Sequence, residues 1–217
     1  MTSTYWKDVM SIHEFYERRI FPRILDLAML PLARYRRSAL RGASGNVLEI
    51  GFGTGLNLPF YPPEVTSLTA VDPMTATPRP MRKRLEAARF PIDRYTLAVD
   101  AGLPFEAGTF DCATVTWTLC TVPDAVAGLK EVLRVVRPEA PLLFVEHGLS
   151  DNAQTARWQN RLDGIWGSLA CGCHLNRPMD RIIESSGFRI KALERFDAPG
   201  LPRTHGHLYV GVALAPG

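Results

Sequence analysis

A chain of 217 residues, 46% hydrophobic and 22% charged, is long enough for one α/β domain with a large core and too short for two ordinary ones. That composition is also wrong for a disordered, collagenous or membrane-embedded protein. The net charge of +3 is unevenly spread, because residues 1–41 alone carry +4. No recognised nucleic-acid-binding module accompanies this charge, so nucleic acid is not an expected partner. Solvated helix faces explain most of it, and contact with an anionic partner or a membrane surface stays open. The four cysteines, Cys112, Cys120, Cys171 and Cys173, form no obvious disulfide framework. Lys7, Asp8, His13 and Glu14 precede any apolar stretch, the wrong order for a secretory signal. The expectation is therefore a cytoplasmic protein with reduced thiols, with peripheral membrane contact as an option.

In chain order, Ser11 to Leu40 predicts two amphipathic helices parted near Pro22 or Pro31. Ile12, Phe15, Tyr16, Ile20, Ile24 and Leu27 recur there at helical spacing. Strand signals follow at Val47–Ile50, at Ser67–Val71 before Asp72, at Tyr95–Val99 before Asp100, and at Phe110–Thr116. Asp124 to Val136 predicts a helix with Val126, Leu129, Val132, Leu133 and Val136 on one face, stopped by Pro138. Leu142–Val145 is a fifth strand. Residues 149–185 read as mostly helical, with an apolar stripe of Trp158, Leu162, Ile165, Trp166 and Leu169. A further helix at Met179–Ser186 ends at Gly187. Arg189–Phe196 and His207–Leu214 then give two closing strands. The implied fold is a Rossmann-like, doubly wound, seven-stranded and mostly parallel sheet with an N-terminal helical lid. It forms one domain over 1–217, with residues 1–41 as the lid and 149–185 as a helical insertion over the acceptor pocket.

The chemistry gathers at the strand ends. After Val47–Ile50 the chain reads E-I-G-F-G-T-G-L-N, with Gly51, Gly53 and Gly55 allowing a sharp turn and close backbone approach by a ligand. A dinucleotide fingerprint needs glycine where Leu56 stands, and a P-loop needs a lysine that does not follow. Asp72 and Asp100 each close a later strand.

The string E-x-G-x-G-x-G after a strand resembles the cofactor loop of class I S-adenosylmethionine-dependent methyltransferases. D-A-G-L-P-F-E-A-G-T-F-D from Asp100 and L-K-E-V-L-R-V-V-R-P from Leu129 are similar to the UbiE-type group within that class. T-L-C-T-V (Thr118–Val122), F-V-E-H-G (Phe144–Gly148) and Trp166, Leu169, Gly172, Cys173, Leu175 and Arg177 resemble its alkyl-thiol methyltransferase-like branch. The membrane anchor expected of that branch has no match here, since the longest apolar run, Ile24 to Ala33, is broken by Asp26 and Pro31.

The resemblance implies S-adenosylmethionine as cofactor, S-adenosylhomocysteine as product and a small-molecule acceptor: a thiol, a quinone-like ring or a lipid amine. It places the methionine part of the cofactor on Gly51, Gly53 and Gly55, counts Asn57 among the cofactor-binding residues, and has Glu49 orient the loop or help hold the cofactor's ammonium group. Asp72 is expected to hold the ribose hydroxyls, Pro73 and Met74 the adenine face, and Asp100 with Ala101 the adenine edge. Thr116 and Trp117 would pass beneath the sulfonium, and Tyr16 would reach the cofactor from the N-terminal helix. His147 is the first candidate to face the acceptor, and His174 a weaker one. C-G-C-H at Cys171–His174 lacks the second ligand pair of a zinc knuckle, so no metal is expected. A different class of reading, a non-catalytic cofactor-binding scaffold acting through its basic N-terminal helices, stands beside the enzyme.

Overall fold

The computed structural model describes residues 21–217. Seven strands, β1 (Gly45–Ile50), β2 (Val65–Val71), β3 (Ile92–Tyr95), β4 (Cys112–Thr116), β5 (Pro141–His147), β6 (Arg189–Asp197) and β7 (His207–Leu214), form one sheet in the order β3-β2-β1-β4-β5-β7-β6. β1 to β5 are parallel, and β7 runs antiparallel between β5 and β6. The described helices are α1 (Phe21–Ala28), α2 (Ala33–Leu40), α3 (Arg79–Glu86), α4 (Ala125–Val135), α5 (Ala153–Leu169) and α6 (Met179–Ser185). No helix among the described residues is long and apolar enough to cross a membrane.

The two faces of the sheet are filled by alternate residues of the same strands, as the two-residue period of a strand requires. In β1, Val47 packs with Leu40, Leu68, Met81 and Leu143 on one side. Its neighbour Leu48 packs on the other with Leu129, Val132, Phe144 and Ile183. Both faces are thus covered, which is why β1, β4 and β5 are buried along consecutive residues rather than at alternate ones, with a continuous apolar run at Leu142–Val145. α4 begins at Asp124, whose side chain accepts the Ala127 N–H at 2.9 Å. The strand order reverses between β1 and β4, and a parallel sheet opens a crevice at the carboxyl ends of the strands at such a point.

Two expected elements shift. The third strand lies at Ile92–Tyr95 rather than Tyr95–Val99, pairing Tyr95 with Val71. As the edge strand it carries Asp93 and Arg94, which hides it from a search for apolar runs. The Leu97–Val99 stretch that looked like a strand instead lines the crevice and turns into a short 3-10 helix at Val99–Ala101. Phe110 makes an isolated bridge to Val136 and lies outside β4. At the amino-terminal end, the break between helices falls at Pro31, inside a 3-10 turn at Leu30–Leu32. The expected helix from Ser11 and the residue Tyr16 lie outside the described residues.

Candidate active site

The glycine turn after β1 needs its glycines for two different reasons. Gly51, Gly53 and Gly55 have φ of 77°, 53° and 78°, all in the left-handed region. A Cβ on Gly51 would sit 1.9 Å from Thr118 Oγ1, so the β1 and β4 ends close against each other there. A Cβ on Gly53 would meet nothing within 4 Å, because that residue borders open space. Asp72 holds the turn in place: its Oδ2 accepts the Gly53 N–H and its Oδ1 the Met74 N–H, both at 2.7 Å. Each carboxylate oxygen accepts more than one bond, so this half-buried group retains capacity for a ligand's hydroxyls.

Glu49 lies beneath the turn, 1% exposed, and does not border the crevice. Asn57 Nδ2 donates to its Oε1 at 2.8 Å and the Tyr61 hydroxyl to its Oε2 at 2.9 Å. Burial pushes its carboxyl up to about 7, against those two hydrogen bonds. Glu49 and Asn57 therefore brace the loop from below.

Arg36 of α2, which nothing in the sequence singled out, completes the brace. Its Nη1 donates to Asn57 Oδ1 at 2.7 Å and to Thr116 Oγ1 at 2.9 Å. Its guanidinium stacks 4.6 Å from the ring centre of Trp117, whose own φ is 49°. Burial lowers its pKa to about 10, with Glu49, Glu146 and Asp26 pulling the other way, so it stays a cation at neutral pH. A buried arginine bordering the crevice, with its Nε unpartnered, suits a carboxylate such as a methionine tail.

The crevice has a volume of about 520 Å³. Asp72, Pro73 and Met74 form one wall, Leu97 to Asp100 another, and Thr116 to Thr118 the floor. Asp26 and Met29 close over it from the amino-terminal side. Arg84 ties Asp26 to the loop, bonding Asp26 Oδ2 at 3.0 Å and Thr54 Oγ1 at 2.9 Å, while the Thr54 hydroxyl donates to Asp26 Oδ1. Of residues 149–185, Cys171 borders the crevice. Of the expected site residues, Gly51, Gly53, Asp72, Pro73, Met74, Asp100, Thr116 and Trp117 border it, whereas Gly55, Ala101, Glu49 and Asn57 do not.

His147 also stands apart from the crevice. It is 8% exposed, and its Nε2 lies 3.2 Å from Cys173 Sγ. Cys120 shares the cluster: its thiol hydrogen-bonds to Cys173, which lowers the Cys173 pKa, burial opposing and His147 assisting. Burial alone would lower the His147 pKa, but the hydrogen bond to Cys173 and the charge there outweigh it and hold His147 above its usual value. His174 is half-exposed, with Nδ1 2.8 Å from Asp163 Oδ2.

A doubly wound sheet with this loop, an acid after β2 and a crevice at the switch point defines a nucleoside-cofactor site of the methyltransferase type. Residues 48–144 match the family model described as a methyltransferase domain. Thiol S-methyltransferase TMT1A of Homo sapiens is 32% identical over 73% of this chain and 66% of its own length. Thiol S-methyltransferase TMT1B of Homo sapiens is 33% identical over 74% of this chain and 67% of its own length. Among solved structures, geranyl diphosphate methyltransferase in complex with S-adenosylmethionine superposes with a TM-score of 0.66 at 12% identity, covering 88% of each chain. That likeness concerns the fold. The chain belongs to the class I S-adenosylmethionine-dependent methyltransferases, and it spans about two thirds of the length of the curated relatives it matches.

Proposed function

We propose that the protein transfers a methyl group from S-adenosylmethionine to a small, largely apolar thiol. The cofactor brings an electrophilic methyl group on a sulfonium that leaves readily, so the protein's contribution is chiefly alignment and exclusion of water. Arg36 would hold the methionine carboxylate, Asp72 the ribose hydroxyls, and Met74, Leu97 and Val99 the adenine faces. Asp26 and Met29, with the rest of residues 1–41, would serve as a lid, with Cys171 of the 149–185 insertion at its margin.

The choice of thiol rests on what borders the crevice. Among the described residues there, no histidine, lysine, tyrosine or glutamate appears. The three aspartates are already engaged: Asp26 by Arg84, Asp72 by the loop, and Asp100 by the Asp124 N–H at 3.2 Å. An ammonium must first lose a proton and a phenol needs a positioned base, whereas even the small thiolate fraction of a thiol near neutral pH is an intrinsically strong nucleophile that attacks without one. Thiolate is also soft and less dependent on polar anchors, which suits walls of Met29, Leu56, Leu97, Val122 and Pro123. The thiol S-methyltransferase relatives support the same reading.

The test is an acceptor panel with methyl-labelled cofactor: an alkane thiol, a phenol, an alkyl amine and a hydroquinone of similar size. Labelled methyl thioether as the main product is expected. Transfer only to an oxygen, nitrogen or ring carbon acceptor rules the thiol out.

A further inference from the structure

Cys120 in the turn after β4, His147 at the end of β5 and Cys173 in the turn after α5 come from three separate parts of the chain. Their donor atoms, two sulfurs and one imidazole nitrogen, all lie within 4.8 Å of one another. We propose that these three residues form a binding site for a soft divalent cation, with Zn²⁺ as the natural occupant.

The donor set argues for the ion. Thiolate and imidazole ligands select zinc and related transition metals over magnesium or calcium, which require oxygen. A tetrahedral zinc with sulfur at about 2.3 Å and nitrogen at about 2.0 Å sets its donors roughly 3.5–3.8 Å apart. His147 Nε2 and Cys173 Sγ already stand 3.2 Å apart, so side-chain rotation of under about an ångström admits the ion. The setting is largely dry, with Cys120 3% and His147 8% exposed.

The sequence alone argues against a metal, because Cys171–His174 has no second pair of donors nearby. The fold supplies the missing donors from two strand ends. Three protein ligands leave a fourth position open, as in catalytic rather than structural zinc sites. Beside Cys173 lies the Trp166 indole N–H, buried and, the Cys173 sulfur aside, without an acceptor. A water or other ligand in the fourth position offers it one. The cluster also adjoins the crevice wall, since Thr121 borders the crevice and its Oγ1 is 3.5 Å from Cys120 Sγ.

The experiment is a titration of the chelator-treated, reduced full chain with Zn²⁺ alone, followed by calorimetry. One equivalent is expected to bind with submicromolar affinity. Cys173→Ser and His147→Ala should each weaken it by at least about 100-fold, while Cys171→Ser, two residues from a ligand, should leave it unchanged. Co²⁺ loading of the unaltered chain gives a readout that needs no variant to fold: a thiolate-to-metal absorption band in the near ultraviolet and the intense visible bands of a tetrahedral ion. Absence of Zn²⁺ binding, a Co²⁺ spectrum without thiolate bands, or equal losses in Cys171→Ser and Cys173→Ser overturns the site. Methyl transfer to thiols by zinc-free protein leaves the proposed function standing whatever the titration shows.

Discussion

Arg36 Nη1 donates to Asn57 Oδ1 at 2.7 Å, joining α2 to the residue that closes the glycine turn. The bond ties α2 to the brace beneath the glycine turn, because Asn57 in turn donates to Glu49 under the loop. Arg36→Lys keeps the charge but loses the planar fork and the stacking on Trp117. Affinity for S-adenosylhomocysteine should fall by about 10- to 100-fold, the worth of a hydrogen bond to a charged group. Calorimetry checks this; an Arg36→Lys variant that binds as tightly as the parent removes Arg36 from the cofactor site.

Asp72 serves the loop and the proposed ribose contact at once. Asp72→Ala withdraws the acceptor from the Gly53 and Met74 N–H groups. Cofactor binding should become undetectable by calorimetry, while far-ultraviolet circular dichroism still reports the folded sheet. Unchanged affinity contradicts the site assignment.

Two glycines two residues apart should respond to different degrees. Gly51→Ala forces a Cβ into the Thr118 side chain and adds left-handed strain, so a loss of more than about 3 kcal/mol of stability is expected. Gly53→Ala meets open space, so stability should fall by only about 1–2 kcal/mol, the cost of its positive φ. Its methyl group enters the crevice, and cofactor affinity should fall further than stability does. Urea unfolding and calorimetry on both variants separate the two effects.

Stability should decline as pH rises from about 4.5 to about 7. Glu49 has its carboxyl raised to about 7 by burial, so in that window the folded chain binds more protons than the unfolded one. Unfolding then becomes easier with rising pH, by on the order of 1–3 kcal/mol across the window. Glu146, also buried and raised to about 7, contributes in the same direction. Glu49→Gln should therefore reduce the slope without abolishing it, as read from denaturant midpoints at pH 5, 6 and 7. A slope identical to the parent's places the pH dependence elsewhere.

The parts of the site that were legible in the sequence are those where backbone geometry dictates residue type. Gly51, Gly53 and Gly55 adopt dihedrals that other residues resist, and Asp72 follows an apolar strand of ordinary length. Arg36 was hidden, because an arginine on a short amphipathic helix looks like any solvated cation until tertiary packing buries it. β3 was misplaced because an edge strand tolerates Asp93 and Arg94, and the apolar residues after it serve the crevice instead. His147 showed its position at a strand end but not its partner. Only the fold brings Cys173 within 3.2 Å of its ring.

The central claim is methyl transfer to a thiol from this crevice, and mass spectrometry of a single reaction mixture tests it most directly. Protein, S-adenosylmethionine and an alkane thiol should yield methyl thioether and S-adenosylhomocysteine in equal amounts, with neither formed by Asp72→Ala. S-adenosylhomocysteine appearing without thioether, or thioether formed equally by the Asp72→Ala chain, contradicts it.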